Sequence, residues 1–310
     1  MIHPRLDRLR LRHLRLIEMI DRQRSLRAVA ETLNLTQPAV SQMVKDLEDV
    51  FAARLVDRSA RGVTLTAAGQ QALQRARAGL AIFDHLAEEL HAEAPPTLRV
   101  ATNPAMLFRT IPDALRRLGV DRGGTRFTIA TGLVGDMLHA LAMGEHDCYV
   151  GRVDWDRLPA ETVTLMRHEP LVETELGLAC PATHPLAARG TCSVRDLAGA
   201  LWILPPLSSN NRVALETALR HRGLPSPAAA IEIATADLGA LITTAKQMNC
   251  LTVVARLAVE GHTGPGELVV LSVPDLPLPP IRIGFVTLAD HEAMDALRAF
   301  RDALVAVVAG

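Results

Sequence analysis

From Ser25 onward the apolar positions of the chain trace two helices back to back. Leu26, Val29, Ala30 and Leu33 fall at i, i+3, i+4 and i+7, one face behind Ser25, whose hydroxyl suits an N-cap. After Asn34-Leu35, Thr36 is placed to cap a second helix in which Val40, Val44, Leu47 and Phe51 form a stripe. Pro38 is tolerated in its first turn, where the missing amide hydrogen would have no partner. Two short helices joined by a tight turn cross steeply, which lets the second enter a DNA major groove. Gln37, Pro38, Ser41, Gln42 and Lys45 then face away from the stripe. Amides and a hydroxyl reach base edges, a proline ring touches a thymine methyl, and Lys45 meets a phosphate. A plain solvated helix face carries the same residue types, so the pattern alone leaves both readings open.

Downstream, Leu55 to Arg58 and Val63 to Thr66 are short strand-like runs around the turn Ser59-Ala60-Arg61-Gly62, where glycine supplies φ > 0. This predicts a wing, with Arg58 and Arg61 toward phosphates or a minor groove. From Ala67 a long helix follows in which Leu73, Ala76, Leu80, Phe83, Ala87 and Leu90 alternate spacings of three and four. Such a seam predicts a coiled coil between two chains, with Leu73, Leu80, Phe83 and Leu90 as the dimerisation residues; a helix packed on its own domain shows the same run.

His91 to Thr97 contains Pro95 and Pro96, which cannot continue the helix, so a hinge is expected there. Leu98–Ala101, Phe127–Ala130 and Asp147–Val150 are strand-like and separated by helical patterns over Met106–Gly119 and Leu133–Gly144, a β-α-β-α-β order that predicts a parallel sheet. A second set has strands at Glu175–Cys180, Leu201–Leu204, Ile231–Ala234 and Leu251–Val254, with helices at Arg212–His221 and Leu238–Lys246. Strand Ile281–Val286 and helix Glu292–Val308 are expected to return to the first set, giving two lobes and a cleft. Ligands of open α/β sheets bind beyond the carboxyl ends of strands. Those ends nominate Thr102, Asn103, Thr131, Gly132, Arg152, Pro205 to Asn211, and Thr235, a set with hydroxyls, amides and one arginine but no acid. This favours a small anion, most simply a carboxylate. Each threonine or asparagine is equally a helix N-cap, and Arg152 can pair with Asp154 or Asp136 instead.

Composition narrows the class. The 310 residues are 49% apolar and 22% charged, enough for cores in two domains and unlike a disordered or fibrous chain. The longest apolar stretches are too short to span a membrane, and the Arg- and Leu-rich start lacks a signal-peptide pattern. Cys148, Cys180, Cys192 and Cys250 form no C-x-x-C pair, so neither a disulfide framework nor zinc is expected and a reducing cytoplasm fits. The net charge of −1 divides unevenly: residues 1–77 hold 14 Lys and Arg against 8 Asp and Glu, the remainder 19 against 26. A basic head that meets a polyanion on an acidic body follows. No nucleotide loop, G-x-S-x-G or H-E-x-x-H occurs, and His146 with Cys148 lacks an orienting third group, so catalysis is not expected.

The stretch A-V-A-E-T-L-N-L-T-Q-P-A-V-S-Q-M-V-K-D-L-E, followed by R-L-V-D-R-S-A-R-G-V-T-L-T-A-A-G, closely resembles the N-terminal domain of LysR-type transcriptional regulators. Leu98 to Ala101, Cys180 to Ala187 and Trp202 to Pro206 resemble the family's effector domain, so the likeness covers nearly the whole chain. It departs from the pattern at Val56, where phenylalanine is usual, at Ala52-Ala53, where glycine is usual, and at Asn249-Cys250, where a glycine-rich turn is common. The resemblance implies an α/β chain: a winged helix-turn-helix (1–66), a linker helix and hinge (67–97), and a two-lobed α/β effector domain (98–310) similar to periplasmic binding proteins. Lobe one is expected over about 98–168 and 270–310, lobe two over about 169–269. The implied partners are double-stranded DNA, a small-molecule effector, a second copy in a dimer or tetramer, and RNA polymerase, with no cofactor, metal or membrane. An enzyme or solute-binding protein on the two-lobed fold needs no basic head, and a constitutive architectural DNA-binding protein needs no acidic body.

Overall fold

A computed structural model describes residues 6–59, 62–91, 95–227, 230–233, 237–260, 267–288 and 294–309. The chain divides into two compact units: Met1–Glu93 with Ala142–Glu145, and Ala94–Leu141 with His146–Gly310. No helix among the described residues is long and apolar enough to cross a membrane.

The first unit begins with a 3-10 turn, Leu6–Arg8, and helix α1, Leu11–Gln23. Sequence reading did not anticipate α1, although His13, Leu16, Ile17 and Ile20 recur at helical spacing and are all buried. Helices α2, Leu26–Thr32, and α3, Gln37–Phe51, follow as expected. The Ser25 hydroxyl accepts from Ala28 N–H at 3.3 Å and the Thr36 hydroxyl from Ala39 N–H at 3.4 Å, so both residues cap as their types suggested. The buried stripe of α3 is Val40, Met43, Val44, Leu47 and Val50; Phe51, expected on it, is 40% exposed at the last turn. Strands β1, Val56–Ser59, and β2, Gly62–Leu65, pair antiparallel as a wing, and helix α4 runs Ala67–His91. One core joins Leu16, Ile17 and Ile20 of α1, Val29 of α2, Val40 and Leu47 of α3, and Leu73 and Ala76 of α4.

The second unit continues with β3 (Thr97–Thr102), α5 (Thr110–Leu118), β4 (Arg126–Thr131), α6 (Val134–Ala142), β5 (Cys148–Arg152), α7 (Ala160–Val163) and β6 (Met166–Thr174). After these come β7 (Leu176–Pro181), β8 (Trp202–Leu204), α8 (Asn210–His221), β9 (Ala230–Glu232), α9 (Leu238–Met248), β10 (Thr252–Ala255), α10 (Leu257–Glu260), β11 (Leu268–Val270), β12 (Ile281–Leu288) and α11 (Asp295–Val308). The five-stranded sheet of lobe one has the order β4-β3-β5-β12-β6. Its β3 is parallel to β4 and β5, as the β-α-β-α-β pattern predicts, whereas β12 lies antiparallel to β5 and β6. Lobe two contains β10-β7-β11, antiparallel, and the parallel pair β8-β9, with Trp202 bridging to Leu251.

Two lobe boundaries shift accordingly. Because β6 pairs along β12, lobe one extends to Thr174 rather than ending near 168. Because Leu268 to Val270 pair with β7, the return to lobe one begins after that strand. Helices α5 and α11 cover the lobe-one sheet, where the tilted rings of Phe127 and Phe300 meet with centres 5.4 Å apart.

Candidate functional site

In the head, Thr36, Gln37, Pro38, Gln42 and Lys45 are exposed and Ser41 is half-buried, all near or along the solvent side of α3. The Gln42 amide donates to Asp46 Oδ1 at 2.8 Å, so a carboxylate already engages one candidate base-reading group. Arg58 is exposed on β1, while Arg61 lies outside the described residues. Gly62 serves a purpose beyond the turn expected of it: a Cβ there would lie 2.7 Å from Arg24 O, the carbonyl to which Val63 N–H donates at 3.0 Å. The wing thereby sits tightly against the end of α1.

Sequence reading missed Glu48. Its Oε1 accepts from the Leu55 and Val56 amides at 2.8 and 3.1 Å, fastening α3 to the root of the wing with charge-assisted bonds. Nothing in the pattern separates this glutamate from the other acids on α3. Just beyond α3, Ala52 adopts φ 49°, a left-handed cap that explains why glycine is usual there. Asn249 caps α9 in the same conformation, which asparagine tolerates better than alanine does.

The seam of α4 divides in two. Leu73 belongs to the head's own core and Leu80 is buried as well, so neither presents itself to a second chain as expected. Arg77 reinforces this half, lying 3.5 Å from Glu18 and 3.3 Å from Asp21 of α1. Phe83 and Leu90 are 48% and 74% exposed, and Ile82 and Leu86 extend the same uncovered apolar surface.

The strand ends of the second unit surround a cleft between the lobes, with a cavity of about 100 Å³. Lobe one contributes Asn103, Gly132 and Arg152; lobe two contributes Pro205, Ser209, Asn210, Asn211 and Asp237. Three helices, α6, α8 and α9, start at this wall, so the positive ends of their dipoles lie at it. Leu238, Leu241 and Val253 supply an apolar side. The sequence set omitted the acid Asp237, which caps α9 by accepting from Ala240 N–H at 2.9 Å.

Arg152 is the cation of this site and is 8% exposed. Its Nε donates to Asp154 Oδ2 at 2.6 Å and its Nη1 to Asn211 Oδ1 at 2.9 Å, while its backbone N–H donates to Asn103 Oδ1 at 3.1 Å. Of the two acids proposed for it, Asp154 is the partner found. Asn210 donates to the same Asp154 oxygen and accepts from Arg157 Nη1 at 2.7 Å, a second tie between the lobes. Gly151 is required here, because a Cβ would meet Asn103 Oδ1 at 2.0 Å.

Thr102 departs from its expected role. It is fully buried, and its hydroxyl donates to Val150 O at 2.6 Å, supporting β5 rather than lining the cleft. Thr131 is exposed at the end of β4 but lies outside the cavity wall, and Thr235 lies outside the described residues. The four cysteines are buried; burial pushes the Cys180 thiol up to about 11 and raises Cys148 and Cys250, which disfavours the nucleophilic thiolate.

Comparison with known proteins agrees with this division. Residues 11–70 match the family model of the bacterial regulatory helix-turn-helix protein, lysR family, and residues 91–309 match that of the LysR substrate binding domain. The chain is 27% identical over 268 residues to the HTH-type transcriptional regulator GbpR of Azospirillum brasilense, covering 85% of this chain and 77% of that one. The crystal structure of ArgP from Mycobacterium tuberculosis has a similar fold, with a TM-score of 0.67 at 16% identity, covering 96% of this chain and 97% of that one. The regulatory domain of CcmR from Synechocystis PCC6803, solved in complex with 2-PG, aligns with a TM-score of 0.58 at 17% identity over 68% of this chain and 97% of that domain.

Proposed function

The chain belongs to the LysR family of transcriptional regulators, and from that premise we propose that its cleft binds a small carboxylate that adjusts how a dimer grips its operator. As a family member it is a DNA-binding regulator with an effector-binding domain. An enzyme or solute carrier on the two-lobed fold is not favoured, since it has no use for the helix-turn-helix that residues 11–70 match.

The cleft carries the proposal. Three helix N-termini and one nearly buried guanidinium converge on a cavity of about 100 Å³, well below the roughly 300–1,000 Å³ of a drug-sized pocket. Leu238 and Leu241 would pack a short apolar tail. A ligand carboxylate can replace the neutral Asn211 oxygen at Arg152 with a charged acceptor, a stronger bond. Because the wall comes from both lobes, a ligand there binds one lobe arrangement better than another and shifts the population by that difference. The related fold solved with 2-PG supports a ligand-binding role for such a domain.

On the DNA side, Gln37, Ser41 and Gln42 are proposed to read bases, and Lys45, Arg58 and Arg61 to meet phosphates. The exposed Phe83, Leu86 and Leu90 of α4 suit a second copy, which supplies the second head for a two-part operator. A regulator bound beside a promoter would also meet RNA polymerase, which we include as a proposed partner.

The test is selection of bound fragments from genomic DNA, followed by calorimetric titration of a panel of small acids. Recovery of a shared sequence and heat from at least one acid are expected. An unselective protein, or one that takes no acid, contradicts the corresponding half.

A further inference from the structure

We propose that Arg8, Arg10 and Arg12, at and ahead of the start of α1, form a second phosphate-binding surface that grips duplex DNA beside the recognition helix. The inference rests on the head being the DNA-binding part. It adds a contact region that lies largely outside the matched family segment, which begins at residue 11.

All three side chains are exposed, and among the described residues none of them enters an ion pair. This sets them apart from the other arginines of α1 and α2. Arg15 faces Asp84, Arg22 pairs with Glu18 at 3.1 Å, and Arg27 pairs with Glu31 at 3.1 Å. Those arginines serve helix surfaces, whereas Arg8, Arg10 and Arg12 have charge to spare.

Their position is fixed by what lies between them. Leu9 packs against the core that contains Val40, Val44 and Leu47 of α3, and the Leu6–Arg8 turn rests on α3 itself. Three residues past Arg10, His13 is buried, and its imidazole feels the charges of Arg12, Asp46 and Arg10. The contact of the Leu6–Arg8 turn with α3 places Arg8 beside the helix that carries the proposed base-reading groups.

The local charge also favours an anion. α1 has no acid in its first turn, and Asp7 is the one carboxylate among residues 6–12, so the segment is net positive beside the positive end of the helix. A row of DNA phosphates is the polyanion a head of this kind meets.

The experiment measures affinity of the full chain for a short random-sequence duplex across a range of salt concentrations. Wild type is compared with Arg58→Gln, with the triple variant Arg8→Gln/Arg10→Gln/Arg12→Gln, and with the corresponding triple lysine variant. Each lost phosphate contact lowers the slope of log K against log salt by about 0.9, so the triple glutamine variant should lose about 2 to 3 and Arg58→Gln about 1. The lysine variant should keep the wild-type slope, since a point charge suffices for a phosphate. Thermal melts of each variant separate charge loss from unfolding, and a folded triple glutamine variant with the wild-type slope overturns the inference. A chain that does not bind the duplex at all fails the DNA-binding reading itself, and a slope changed by Arg58→Gln alone fails only the arginine surface.

Discussion

Arg152 donates from Nη1 to Asn211 Oδ1 at 2.9 Å, and this bond runs from one lobe of the effector unit to the other. It makes the guanidinium a shared element: Asp154 holds it in lobe one, and its hydrogen bond to lobe two goes to the neutral Asn211 oxygen. Arg152→Ala should therefore weaken carboxylate binding by about 2 kcal/mol, roughly thirtyfold, the range for a hydrogen bond to a charged group. Asn211→Ala should cost less than about tenfold, because the ligand supplants that contact. Calorimetry beside a thermal melt decides the matter. If Arg152→Ala lowers the melting temperature and leaves ligand affinity untouched, the arginine is a structural tie.

Ala52 pays a conformational cost that can be removed. At φ 49° its Cβ crowds the backbone, and the residue is exposed, so glycine fits without disturbing packing. Ala52→Gly should raise stability by about 1 kcal/mol, offset in part by the freedom glycine adds to the unfolded chain. A denaturant titration that finds the variant less stable would show that another interaction holds this cap.

His13 should make the head sensitive to acid. Burial lowers its pKa below the ordinary 6.5, Arg12 and Arg10 lower it further, and Asp46 opposes them. Its Nδ1 accepts from Arg10 N–H at 3.3 Å, a bond that a proton added at Nδ1 would break, and its buried Nε2 has no hydrogen-bond partner. Folding thus favours the neutral imidazole: its contribution is full above the unfolded value of 6.5 and is lost as pH falls below that value toward the folded one. His13→Met should flatten the fall of melting temperature with acid, although His168 and His184 are shifted in the same direction and keep part of it. An unchanged profile in the variant would locate the acid sensitivity elsewhere.

The two halves of α4 should respond differently to the same substitution. Leu73→Asp buries a charge in the head's core and should unfold it, whereas Phe83→Asp or Leu86→Asp falls on exposed surface and should spare the fold. If that surface joins two chains, the latter variants sediment as smaller species and lose operator affinity. Folded Phe83→Asp and Leu86→Asp proteins of unchanged mass would place the contact between copies elsewhere.

The legible parts of this chain were those in which a local pattern and a cap agree. Ser25 and Thr36 announce α2 and α3 because their hydroxyls do what isolated caps do. Helix α1 escaped notice because arginines interleave with Leu11, Leu14 and Leu16 and give a strand-like alternation that hides the buried set His13, Leu16, Ile17 and Ile20. Strand β6 escaped because M-R-H-E-P-L-V-E-T carries charges and a proline; it lies at a sheet edge, where Pro170 is tolerated near a register shift. In the cleft, counting strand ends located Asn103, Gly132, Arg152 and Pro205 on the cavity wall, but it could not tell which way a terminal side chain turns. Thr102 turns inward to Val150, and Asn210 and Asn211 gain their role only from lobe two meeting lobe one.

The central claim is that occupancy of the cleft changes the grip on DNA. The direct measurement is a footprint of the full chain on its selected sequence, with and without an acid that calorimetry has shown to bind. The account predicts that the acid alters the extent or strength of protection, and that Arg152→Ala abolishes the change while the footprint without acid stays as in wild type. An acid that binds in the cleft and leaves the footprint identical would contradict it.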